Sequence, residues 1–187
     1  MLQFSPVSRN IIFICVAVFI IQKIVSDANF YLALWPFNSG IFKPYQLFSY
    51  MWAHGDFWHL FFNMMMLAFA GPTLEMVWGQ QRFLLFYMIS GIGAALVYAG
   101  IQFLLTPSGG IPMIGASGAI YGLLMAMSLT MPDREMNLMI PPITIKMKYM
   151  VVVFFAISLL MGGTNVAHTA HLGGAVVGFL LIKVFRF

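Results

Sequence analysis

Charged side chains are scarce in this chain: nine Lys and Arg and five Asp and Glu make up 7% of 187 residues, against 61% hydrophobic. Soluble domains carry roughly a quarter charged residues, so a water-exposed globule is excluded and the composition is that of an integral membrane protein. A single cysteine, Cys15, excludes an intrachain disulfide or a multi-thiolate metal site. No HExxH occurs, which argues against a zinc membrane peptidase. The segments of alternating polarity, about ten residues long, that mark a membrane β-barrel are missing. So are internal repeats and low-complexity tails. The net charge of +4 is read through loop topology rather than as a nucleic-acid surface, and no nucleic-acid partner is expected.

What is present is a series of apolar runs, at about 10–26, 57–78, 82–105, 114–131, 147–162 and 167–185. Each is close to the length a helix needs to cross ~30 Å of hydrocarbon. The first run, preceded by Arg9, resembles a secretory signal, but no small-residue cleavage pattern follows "FIIQKIVSDANF", so it is kept as a membrane helix. The expectation is an all-α membrane protein: a bundle of six transmembrane helices forming one domain over residues 1–187.

Basic residues in short loops favour the cytoplasmic side. With the N-terminus inside, Arg9, Arg82, Arg134, Lys146, Lys148, Lys183 and Arg186 all fall there, leaving only Lys43 and the snorkelling Lys23 outside. Both termini are thus expected in the cytoplasm. A long outer loop spans 27–56, and short outer loops carry "TPSGGIP" and "GGTNV". The long loop is rich in Phe, Tyr and Trp, which favour the membrane interface. A compact core of this kind suits a bacterial inner membrane.

An intramembrane polar side chain needs a partner or a role. His59 and Asn63, four apart, share a face near the outer end of the second run. Ser117 and Tyr121 do the same on the fourth, and His168 and His171 open the sixth. Gly118 with Gly122, and Gly174 with Gly178, form GxxxG patterns that let helices four and six approach closely. That packing would bring a histidine of helix six within reach of Ser117, able to take its proton. Ser117 would also lie at a helix N-terminus, where unpaired N–H groups and the helix dipole favour an oxyanion. With donors from His59 and Asn63, the set suffices for acyl transfer.

Three segments carry a family resemblance. "HGDFWHLFFN" (His54 to Asn63), "GASG" (Gly115 to Gly118) and "AHLGGAVVG" (Ala170 to Gly178) resemble the HxxxxHxxxN, GxSG and AHxxGxxxG patterns of the rhomboid intramembrane serine proteases, in order and on helices two, four and six. The resemblance covers the chain from about residue 45. It implies Ser117 as nucleophile, His171 as general base and acid in a dyad, and an oxyanion hole from Asn63, His59 and the Ser117 amide. Tyr121 would support the His171 ring, and Gly115 and Gly118 would keep the backbone approachable. Glu75 matches a structural acidic position, "GGTNVA" a mobile cap, and helix five a substrate gate. Where many members carry Trp-Arg in the first loop, "KPYQLFSYMWAH" offers Tyr45 and Gln46, without arginine's charge and fork of donors. The implied partners are transmembrane protein substrates and membrane lipid; no cofactor is implied.

Other readings stand beside this one. A lone intramembrane serine usually bonds its own helix or eases packing. Asn63 and His59 are also residue types that join neighbouring helices, and His54 is equally a loop histidine without chemistry. His168 rivals His171, and only the AHLGG context separates them. Four histidines toward one face also suit a metal- or haem-binding membrane protein. A non-catalytic scaffold would keep the same bundle. The sixteen methionines read as gap-fillers.

Overall fold

The computed structural model describes residues 5–106, 110–137, 143–160 and 165–187, without the side chains of 165–167. Six principal helices form the bundle: α1 (Pro6–Ile24), α4 (Phe57–Trp78), α5 (Gln80–Leu105), α6 (Ser117–Thr130), α7 (Met150–Leu160) and α8 (Asn165–Lys183). The first loop contributes two short ones, α2 (Ala28–Leu32) and α3 (Gln46–Ser49), and a 3-10 turn at Tyr50–Trp52. Among the described residues, three helices, α1, α4 and α5, are long and apolar enough to cross a membrane, and α6 and α7 are shorter apolar helices. Large apolar side chains face outward, Ile24 at 78%, Leu104 at 77% and Leu160 at 87% exposure, as expected where the surroundings are lipid.

Helix α6 is the centre of the bundle. From Gly118 to Ser128 only Met125 is not buried, and α4, α5, α7 and α8 pack around it. Its seam with α8 is made by glycine. A Cβ placed on Gly174 would overlap the carbonyl oxygen of Gly118, and one on Gly178 would come within 2.7 Å of the Gly122 oxygen. Helix α8 can carry no side chain at these points, so its GxxxG lies on the seam; on α6 a Cβ at Gly118 or Gly122 would meet α5 first, Ala94 at 2.7 Å and Ser90 at 2.5 Å.

The helix limits depart from the sequence expectation in explicable ways. The expected helix at 57–78 coincides with α4, but α6 begins at Ser117 instead of 114. The preceding residues run extended, pairing Met113 with Leu34 through two backbone hydrogen bonds of 2.9 Å and donating the Gly115 N–H to the Tyr50 carbonyl. Non-helical backbone at this depth is tolerated because other protein groups satisfy it. The first helix starts at Pro6, earlier than expected, because buried Glu75 of α4 accepts the N–H groups of Val7 and Ser8 (3.0 and 2.9 Å) and the Ser8 hydroxyl. That carboxylate satisfies free amides at an N-terminus and suits its dipole. The loop between α6 and α7 holds an unforeseen hairpin, β1 (Glu135–Asn137) against β2 (Thr144–Lys146).

Gly174→Ala is expected to destabilise the detergent-solubilised protein by at least about 1–3 kcal/mol, since the added methyl must push backbone apart. Gly100→Ala in α5 meets nothing within 4 Å, and is expected to be neutral or to stabilise by up to about 1 kcal/mol. Thermal midpoints of the two variants check the contrast.

Candidate functional site

Asp56 caps α4, its carboxylate accepting the His59 N–H at 2.9 Å, and so fixes His59 in the first turn. The His59 ring accepts the Gly55 N–H on Nδ1 (3.3 Å). In a neutral imidazole this leaves the proton on Nε2. Nε2 lies over Gly115, where a Cβ would sit 2.7 Å from it; Gly115 also has φ +122°, in the region that favours glycine. Asn63, one turn further, is buried and donates to the His59 carbonyl at 2.7 Å. The His59 ring therefore points to the extended segment that leads into α6.

Ser117 is the first residue of α6 and is half-buried. Four residues on, buried Tyr121 lies parallel to the His171 ring, centroids 4.2 Å apart and planes 13° apart. The neighbours of the two implied catalytic residues also meet: a Cβ on Gly118 would be 3.7 Å from the Ala170 carbonyl oxygen. No hydrogen bond joins Ser117 to His171 among the described residues. The His171 side chain bonds instead to Ser158 of α7, Oγ to Nδ1 at 3.3 Å. His168 turns elsewhere, its ring edge-on to Phe155 of α7 at 6.0 Å. Of the two rivals, His171 is the one that packs on the helix carrying Ser117.

His54 sits in the loop ahead of α4 and is buried. The Gln22 side chain of α1 binds its backbone twice, donating to the carbonyl and accepting the N–H, both at 3.0 Å. Its ring meets His59 edge-on at 5.2 Å. Both ring nitrogens lack a partner among the described residues. Burial, with the nearby His59 adding to it, lowers the His54 pKa to about 3, so the ring is neutral near pH 7. No group of three His, Cys, Asp or Glu side chains is placed to hold a metal ion among the described residues.

The first loop is anchored without an arginine. Buried Gln46 accepts the N–H groups of Lys43 (3.1 Å) and Trp35 (3.4 Å) through its side-chain oxygen, and Ser49 donates to the Leu32 carbonyl at 2.8 Å. Tyr45 is exposed. Of the cap expected at 162–167, residues 162–164 fall outside the described residues, and the backbone of 165–167 forms the start of α8. Sequence reasoning missed Ser158 and Gln22. The only sign of Ser158 was a lone hydroxyl in the otherwise apolar "MVVVFFAISLL".

Fold and site together define a helical membrane protein with a serine, a clamped histidine and polar groups from a third helix gathered toward one end. A family model described as the Rhomboid domain matches residues 42–186. The chain is 37% identical over 144 residues to RHOMBOID-like protein 1 of Arabidopsis thaliana, covering 76% of this chain and 35% of that protein. It is 35% identical over 141 residues to RHOMBOID-like protein 5 of the same plant, with coverages of 74% and 43%. Rhomboid protease GlpG of Yersinia pestis (strain Pestoides F) is 25% identical over 188 residues, with coverages of 96% and 62%. This chain belongs to the rhomboid family, which includes intramembrane serine proteases. It spans between about a third and three fifths of the length of these relatives.

The depressed pKa of His54 sets a pH dependence. The unfolded chain takes up this proton below about pH 6.5 and the folded chain only near pH 3, so stability falls as the pH is lowered between these values, by up to about 1.4 kcal/mol per unit. Thermal midpoints measured from pH 7 to 5 should decline, and His54→Phe, which fills the space and does not titrate, should flatten the decline.

Proposed function

We propose that this chain is a serine endopeptidase that cleaves membrane-protein substrates in or near a transmembrane segment through an acyl-enzyme. The observation that carries this reading is the parallel stacking of Tyr121 on His171, because it holds an imidazole against the helix that begins at Ser117. His171 Nε2 takes the proton as Ser117 Oγ attacks the scissile carbonyl carbon. The oxyanion is met by the Ser117 N–H, which has no intrahelical partner, by His59 Nε2–H and by the Asn63 amide. His171 then gives its proton to the leaving amine and the ester forms. Water, deprotonated by the same ring, releases the second product and regenerates Ser117. In substrate-free enzymes the nucleophile–base bond is often long and tightens only in the complex, which accommodates the absence of a Ser117–His171 bond here.

A helical substrate protects its own peptide bonds, so the segment must unwind locally, and residues weak in helix formation with a small side chain beside the cut are favoured. The distribution of Lys and Arg supports a site toward the outer side of the membrane with both described ends of the bundle on the cytoplasmic side, and the compact core suits a bacterial inner membrane.

Purified protein is expected to react with a fluorophosphonate probe and to cleave a single-span model substrate. Ser117→Ala should abolish labelling, and Ser117→Ala and His171→Ala should each lower cleavage by about 10³-fold or more. Folded variants that still cleave at the wild-type rate would refute the assignment, and a wild-type chain that neither labels nor cleaves is a scaffold.

A further inference from the structure

The chemistry assigned above asks one thing of His171 that Tyr121 cannot supply. Stacking fixes the plane of a ring but not which nitrogen carries the proton. A base for Ser117 needs its lone pair on Nε2, and hence its proton on Nδ1. The group facing Nδ1 is the hydroxyl of Ser158, 3.3 Å away. A serine hydroxyl has one hydrogen and two lone pairs. With its hydrogen turned away from the ring, its oxygen accepts the Nδ1–H. Around this contact are Tyr121 from α6, His168 and His171 from α8, and apolar side chains of α7. The carboxylates are remote: Asp56 caps α4, and Glu75 binds the start of α1.

Resting on the proposed Ser117–His171 reaction, we propose that Ser158 is a positioning residue, which accepts the Nδ1–H of His171 and so keeps Nε2 free to receive the Ser117 proton. It fills the place that a carboxylate takes in a triad, with a neutral acceptor suited to an apolar setting. Its position on α7 makes the state of the base depend on where that helix sits. Helix α7 packs on α6 and α8, and Met150 is its one fully buried residue. Displacement of α7 from α8 breaks the Ser158 contact and frees the proton to move to Nε2, where it blocks the base.

The test uses the full chain in detergent or bilayers, with a single-span model substrate. Ser158→Ala is expected to lower kcat about tenfold with KM within twofold and an unchanged thermal midpoint, about the worth of one hydrogen bond. Ser158→Thr, which keeps the hydroxyl, is expected to restore kcat. The 15N-histidine spectrum of the wild-type chain should show His171 protonated on Nδ1, and needs no variant to fold. Wild-type kcat in Ser158→Ala, a loss that Thr does not restore, or a proton on Nε2 of His171 would each overturn the inference. Ser117→Ala and His171→Ala serve as references. If they too cleave like wild type, the protease reading fails; if they are dead while Ser158→Ala is fully active, only the role of Ser158 fails.

Discussion

Where α6 meets α8 no side chain separates the two backbones: Gly174 lies on the Gly118 carbonyl and Gly178 on that of Gly122. Lipid tails are as apolar as leucine, so burial alone does little to hold two such helices together in a membrane, and close van der Waals contact must do so. The contact also sets a register. With Gly118 against Gly174, Ser117 just before the one and Ala170 and His171 about a turn before the other are drawn toward the same end of the seam. Tyr121 then falls on the face turned to His171. One added methyl at this seam would move every element of the site.

The remaining polar groups show how little hydrophilic material is needed once the seam exists. Glu75 satisfies the start of α1, Gln22 clamps the backbone of His54, and Gln46 gathers two N–H groups of the first loop. Each holds backbone that is not helical or stands at a helix end, where unpaired groups would be costly away from water. Gln46 also explains how this loop holds its shape without an arginine, since one amide oxygen in a buried setting substitutes for a charged fork.

Much of the bundle could be read from the chain because apolar length is a local property: α4 matches its expected limits, and the other helices differ by a few residues at their ends. These differences have non-local causes. Glu75, distant in sequence, extends α1 to Pro6, while pairing of Met113 with Leu34 delays α6 until Ser117. The hairpin at Glu135–Asn137 and Thr144–Lys146 escaped notice because three-residue strands leave almost no periodic pattern.

The candidate site divides in the same way. Ser117, His171, His59, Asn63 and Tyr121 stood out by residue type and spacing, since polar side chains inside apolar runs are rare and i, i+4 spacing places them on one face. Composition, the six apolar runs, the glycine spacing and the shared depth of these residues were therefore determined by the sequence itself. Only the tertiary structure decided that His171 and not His168 stacks on Tyr121, that the His59 ring lies over Gly115, and that Ser158 meets Nδ1. Spacing along one helix defines a face, but which lone pair meets which hydrogen depends on the rotation and register of two helices, and those arise only when the glycines let the backbones touch.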